Sequence, residues 1–355
     1  MISQKKGVEY IKELVNDPAV QIIKAERHPT TKNGEEKSGS LFAVYKEPPF
    51  AKGKFGKVYN ARLFRQAPNA LPEEKKKPFV IKAIPKPLTQ SEIDFRELVQ
   101  NEHDLCRIEP IFMKVKKPVY VPGGAFLIEE YIEWDDLEHL ILQKKIQSEH
   151  VIPLIRALVI AVKEQLIDRG VVHNDLKPDN IKVCLTTMRV KILDFGLSRR
   201  KDKEFKSHGG NYAYGSPEFC RRRKTDSYSD VYSLARILAE ISGGNLQTLI
   251  NNTSFKLRDE IIAYAKYICI LASTELKLPD ENAWILPLLK KMLHPNPNCR
   301  INIKDALEEL DFRIGMLQFN PKESLPSNKE GISLVPTENS EDDCEQSVPV
   351  NNFGG

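Results

Sequence analysis

The run His173-Asn174-Asp175-Leu176-Lys177-Pro178-Asp179-Asn180, followed fourteen residues after Asn180 by Asp194-Phe195-Gly196, constrains this chain more than any other feature. It sets two carboxylates, a lysine and an amide at a spacing suited to moving a phosphoryl group with the help of Mg ions. Asp175 can orient an attacking hydroxyl and accept its proton. Lys177 can stabilise charge on the group in transit. Asn180 and Asp194 are hard oxygen ligands for Mg ions on a nucleotide. The flanks fit a loop of this kind. From Val151 to Arg169 apolar residues recur at intervals of three and four, and Gly170 supplies a stop. Such a helix, running straight into Val171-Val172-His173, gives the loop a rigid base.

This order of residues resembles the catalytic loop and metal-binding motif of the protein kinase family. The resemblance extends upstream. Ala51-Lys52-Gly53-Lys54-Phe55-Gly56-Lys57-Val58 reads like the family's glycine-rich loop, with Ala51 where the first glycine usually stands. Gly53 and Gly56 remain, and glycines let backbone amides approach phosphates without a Cβ clash. Phe79-Val80-Ile81-Lys82-Ala83-Ile84 is an apolar strand interrupted by one lysine, a residue costly to bury unpaired. An edge strand with Lys82 facing water is the plainer alternative. The resemblance implies instead that Lys82 holds the nucleotide's phosphates and pairs with a carboxylate on the following helix. Glu102, in Asn101-Glu102-His103-Asp104-Leu105, fits that role best; Glu97 is the runner-up and Glu92 is also available.

Gly124-Ala125-Phe126-Leu127-Ile128-Glu129-Glu130-Tyr131-Ile132 resembles the strand that runs into the family's interlobe hinge, whose backbone bonds the adenine edge. This placement makes Glu130 to Ile132 the hinge and Glu129 the gatekeeper, an unusual acidic one. Asp135 or Asp136 then meets the ribose, or else forms a solvated acidic turn. Ala51, Val58, Val80 and Lys182 complete the nucleotide contacts that the resemblance implies. Val80 replaces a small alanine and Lys182 a leucine, although the stem of Lys182 can still cover a ring. Gly215-Ser216-Pro217-Glu218 resembles the end of the activation segment, and Glu218 is expected to pair with a buried Arg300. Asp230 is expected to bond the catalytic-loop backbone.

The resemblance implies an α+β, bilobal protein kinase fold with a small β-rich N-lobe and a larger helical C-lobe. Expected boundaries are an N-terminal extension with a short helix at 1–40, the N-lobe at 41–132, the C-lobe at 133–318 and a disordered polar tail at 319–355. It further implies an ATP-dependent protein serine/threonine kinase. Asp175, Lys177, Lys82 and Glu102 are its catalytic groups; Asn180 and Asp194 hold Mg2+ or Mn2+. The nucleotide lies against Ala51, Gly53, Gly56, Val58, Val80, Lys82, Glu130, Ile132, Asp136 and Lys182. Lys177 argues for serine or threonine acceptors; Asn211, where a threonine is usual, weakens that inference without reversing it. Asn174 replaces the arginine that in many regulated kinases binds an activation-loop phosphate, so the chain is of the non-RD type. A protein substrate and an activating partner or ligand are the partners implied. Two alternatives stand beside this reading. One is a pseudokinase or scaffold that binds nucleotide or partners without turnover. The other is a small-molecule kinase, although such enzymes generally lack the segment ending at Glu218.

Composition bounds the rest. The net charge of +4 is spread over mixed signs and gives no argument for nucleic acid. Six cysteines without metal-type spacing read as reduced thiols of a cytoplasmic protein. Residues 1–20 carry charges throughout and do not read as a signal peptide, and no apolar run is long enough to span a membrane. Asn180-Ile181-Lys182-Val183 and Asp194-Phe195-Gly196-Leu197 resemble bacterial kinases of the eukaryotic type, which leaves open an effector secreted into a host cytosol. Val8, Ile11, Leu14 and Val15 predict an amphipathic helix packed on the small lobe. The β-rich part is expected to begin at Leu41, after a polar loop over 30–40. Ser91 or Asp94 is expected to cap a helix reaching Ile108.

Overall fold

The computed structural model describes residues 4–17, 19–25, 40–53, 56–66, 70–108, 114–203, 211–221, 225–245 and 274–319. The expected polar loop lies mostly, and the C-terminal tail almost wholly, outside these residues. The chain falls into two compact units, residues 1–134 with 193–199, and residues 135–192 with 200–355.

The first unit is built on an antiparallel sheet. Its strands are β1 (Val20–Ala25), β2 (Ser40–Lys46), β3 (Ala51–Gly53), β4 (Gly56–Gln66), β5 (Glu73–Glu74), β6 (Phe79–Pro85), β7 (Val119–Val121) and β8 (Gly124–Glu130). The order is β1-β2-β4-β6-β8-β7, with β3 and β5 both paired to β4. Alternation along β4 explains the layer: Tyr59, Ala61 and Leu63 are buried while Asn60 and Arg62 face water. Ala61 and Leu63 join Ile23, Leu41, Ala43, Ile81 and Ile128 in one core. Phe42, Val44 and Phe64 point the other way and receive Ile11 of helix α1 (Gln4–Val15). Leu14 is half exposed, so the packed stripe of α1 is narrower than its apolar spacing predicts.

The sheet starts earlier than expected. β1 pairs with β2 from Val20↔Lys46 to Ala25↔Leu41. Val20 and Ile22 pack toward α1 while Ile23 enters the main core. A strand with apolar residues on both faces shows no clean alternation, which is why β1 is hard to see in the sequence. Helix α2 (Glu92–Ile108) begins at Ser91, whose Oγ accepts the Asp94 N–H at 3.1 Å.

The second unit is mainly helical. After β9 (Asp135–Asp136) come α3 (Leu137–Leu142) and α4 (Ser148–Gln165), whose Leu154, Ile155, Leu158, Val159 and Val162 are fully buried. A 3-10 turn over Ile167–Arg169 ends at Gly170, which adopts φ 64° and lets the chain reverse into β10 (Val171–Val172). β11 (Ile181–Cys184) pairs with β12 (Arg189–Ile192) on one side and β9 on the other. Gln165 fixes β12, donating to the Val190 carbonyl at 2.9 Å and accepting from the Ile192 N–H at 3.1 Å. Then follow α5 (Pro217–Cys220), α6 (Ser227–Ile241), α7 (Leu286–Met292) and α8 (Ile303–Phe319).

Among the described residues Cys106, Cys184 and Cys220 form no disulfide. Cys299 is disulfide-bonded, so the expectation of reduced thiols throughout fails there. Its sequence spacing carried no signal of a bridge, because pairing depends on tertiary approach.

Candidate active site

Strand pairing places the first group of candidate residues. In β4, β6 and β8 the register is Val58↔Lys82, Val80↔Glu129 and Lys82↔Leu127. Directly opposed residues share a sheet face, so Val58, Val80, Lys82 and Glu129 lie on one face. Lys82 is buried there, and a buried ammonium demands partners. It has them: its Nζ lies 2.9 and 3.1 Å from the Glu102 carboxylate and 2.6 Å from Asp194 Oδ1. Glu97 and Glu92 are exposed on the outer side of α2, so Glu102 is the helix carboxylate that meets Lys82. Burial works against the ammonium form, but Asp194, Glu102 and Glu129 outweigh it and hold Lys82 protonated far above the usual lysine range. Burial also pushes Glu102 up, opposed by Lys82.

Asp194 is held in the left-handed region at φ 60°, its carboxylate accepting the Gly196 N–H at 3.4 Å. Asn101 of α2 steadies the segment that follows: its Nδ2 donates to the Ser198 carbonyl at 2.6 Å. The helix that supplies Glu102 is thereby tied to the residues just after Asp194.

The glycine-rich segment forms the β3–β4 hairpin, with Gly53 opposite Gly56; its tip, Lys54 and Phe55, lies outside the described residues. A Cβ on Gly56 would stand 2.2 Å from the Ala83 carbonyl oxygen, so close packing on β6 already requires glycine there. Ala51 is exposed, and Val80 is buried opposite Glu129. Glu129 is itself buried, and its Oε1 has no hydrogen-bond partner among the described residues. Burial, then Glu102, push its carboxyl up to about 8, against the pull of Lys82. Glu130 is half-buried, with Lys77 Nζ at 3.6 Å and its N–H given to the Lys114 carbonyl. Ile132 is half-buried two residues on.

In the second unit Asp175 is buried and held from several sides. Its Oδ1 accepts the Asn211 N–H at 2.7 Å, and its Oδ2 lies 3.3 Å from Asn180 Nδ2 and 3.8 Å from Lys177 Nζ. Asn180 also donates to the Asp175 carbonyl at 2.8 Å, and Lys177 bonds Asp179 at 2.8 Å. Below this loop, Asp230 accepts the His173 N–H at 2.8 Å and the Asn174 N–H at 3.1 Å. Burial pushes Asp230 up to about 6, while His173 and these N–H groups oppose the shift. Asn174 sits at φ 65°, a region that asparagine tolerates better than most residues, and its Oδ1 accepts from Thr225 at 2.6 Å. Lys182 and Asp136 face each other across β11 and β9 as an ion pair of 2.9 Å. Glu218 takes two parallel bonds from Arg300, at 2.8 and 3.1 Å, and a third from Ser229 at 2.7 Å.

Several contacts had no sequence signal. The Asn211 N–H on Asp175 is a backbone bond, which side-chain identity does not announce. Tyr214 donates to Glu240 at 2.7 Å across residues far apart in the chain, and Thr225 reaches Asn174 in the same way.

A family model described as the protein kinase domain matches residues 48–310. The chain belongs to the protein kinase family. CBL-interacting protein kinase 10 of Oryza sativa subsp. japonica is 26% identical over 284 residues, covering 78% of this chain and 58% of the rice protein. CBL-interacting serine/threonine-protein kinase 15 of Arabidopsis thaliana is 28% identical over 304 residues, covering 82% and 66%. A Xenopus laevis protein, hormonally up-regulated neu tumor-associated kinase homolog A, is 31% identical over 192 residues, covering 52% and 26%. The matched region thus spans less than two thirds of each of these relatives.

Proposed function

We propose that the chain is an ATP-dependent protein serine/threonine kinase of the non-RD type. The observation that carries this reading is the buried Lys82, bonded at once to Glu102 and to Asp194. An ammonium already sits on the Asp194 carboxylate, so that carboxylate is one that attracts a cation. Asp194 and the amide oxygen of Asn180 are each hard oxygen donors of the kind that suits Mg2+ or Mn2+. When bound, the metal neutralises charge on the nucleotide's phosphates. Lys82 positions those phosphates, and Glu102 orients Lys82. Asp175, fixed by the Asn211 N–H, takes the proton of the acceptor hydroxyl. Lys177 stabilises the transferring group. Val58, Val80, Glu130, Ile132, Lys182 and Asp136 are assigned to the nucleotide, with Ala51, Gly53 and Gly56 over its phosphates. Asp136 is shared between Lys182 and the ribose, so the ion pair keeps it oriented.

The proposed substrate is a protein hydroxyl, and an activating partner or ligand takes the place of the phosphate switch that Asn174 cannot serve. A cytoplasmic setting, in the producing cell or in a host, is part of the same proposal; no helix among the described residues is long and apolar enough to cross a membrane. The test is transfer from γ-labelled ATP to generic protein substrates, with Mg2+ or Mn2+. Asp194→Ala should abolish transfer. Asp175→Ala should lower turnover by about two orders of magnitude or more with modest loss of nucleotide binding. Wild-type protein that binds ATP yet labels nothing, itself included, would favour a scaffold instead.

A further inference from the structure

We propose that Glu129 reads the base of the nucleotide, accepting a hydrogen bond from an exocyclic amino group. The inference rests on the kinase reading above and deepens it. Three observations within the first unit carry it. Glu129 lies opposite Val80 and on the same sheet face as Lys82 and Val58. It is buried, yet its Oε1 has no partner among the described residues. Lys82 does not serve as that partner, because its ammonium is engaged by Glu102 and Asp194.

A buried carboxyl oxygen without a partner is costly, and most native structures avoid it. A ligand that brings an N–H to this oxygen removes the cost, so binding and selectivity gain together. Glu129 immediately precedes Glu130, the first residue assigned to the base, and faces Val80, the residue assigned to its flat side. An amino group on the base edge is therefore the donor of the right kind in the right place. The carboxyl keeps its proton near neutrality, and its carbonyl oxygen still accepts. Glu102, Lys82 and Asp194 act on it from α2, β6 and the segment after β12, and the buried Cys106 thiol faces it from α2.

The test compares equilibrium binding of ATP and purine riboside 5′-triphosphate, which lacks the 6-amino group, each with Mg2+, to the full chain. Wild type, Glu129→Gln and Glu129→Leu are measured by calorimetry. The preference for ATP should be about tenfold greater in wild type than in Glu129→Leu, and Glu129→Gln, which keeps an acceptor oxygen, should retain most of it. An equal preference in wild type and Glu129→Leu overturns the inference. Infrared difference spectra of wild type give a second readout that needs no apolar variant. The carboxyl C=O stretch, identified by its loss in Glu129→Gln, should shift on adding ATP and stay in place with the analogue; identical spectra for both ligands count against Glu129. Wild-type protein that binds neither nucleotide overturns the kinase reading itself, a result distinct from loss of base selectivity.

Discussion

Lys82 is one ammonium among three carboxylates, Glu102, Asp194 and Glu129, and its hydrogen bonds go to the first two. The third is left with a proton. That state has a sign in the pH dependence of stability. Glu129 in the folded chain releases its proton at about 8, against 4.5 ordinarily. Between those values the folded form holds more protons than the unfolded one, so the contribution of Glu129 to stability falls as pH rises. Glu129→Leu removes this penalty. Its melting temperature relative to wild type should rise steadily from pH 5 to about pH 8 and then level off. Thermal unfolding at several pH values checks this, and a constant difference would mean that Glu129 is ionised throughout.

The Glu218–Arg300 pair ties elements together. It links α5 to the turn before α8, with Ser229 of α6 and the Tyr228 carbonyl as further partners. Both side chains are buried, so truncating one strands the other. Glu218→Ala should cost roughly 3–5 kcal/mol in chemical denaturation. At the end of the turn after α4, Gly170 has open space around its missing Cβ but a left-handed backbone. Gly170→Ala should therefore cost only about 1 kcal/mol, from conformation alone. The Lys82–Glu102 pair was legible because a lysine inside an apolar strand needs a partner; the roles proposed for Asp175, Asn180 and Asp194 rest on the spacing of their side chains. β1 was not, since its two apolar faces blur the alternation. The Cys299 disulfide and the Tyr214–Glu240 bond were not, since both depend on tertiary approach rather than on local pattern.

At the scale of the whole molecule, the proposed kinase activity has to be organised without the usual phosphate switch. In regulated kinases a phosphate organises the activation segment by pairing with a cation beside the catalytic aspartate. Here Asn174 holds that place, and its side chain is already used by Thr225. Among the hydroxyls of the segment, Ser198 is fully buried, which removes it as a ready target for modification; Ser207 lies outside the described residues. Asp175 is instead fixed by a backbone bond from Asn211, a contact that needs no phosphate. Phosphatase-treated protein should therefore keep most of its transfer activity, measured with labelled ATP, and so should Ser207→Ala. A large loss in both, restored by phosphorylation at Ser207, would show that one of the basic residues near it binds a phosphate and takes over the role that Asn174 has given up.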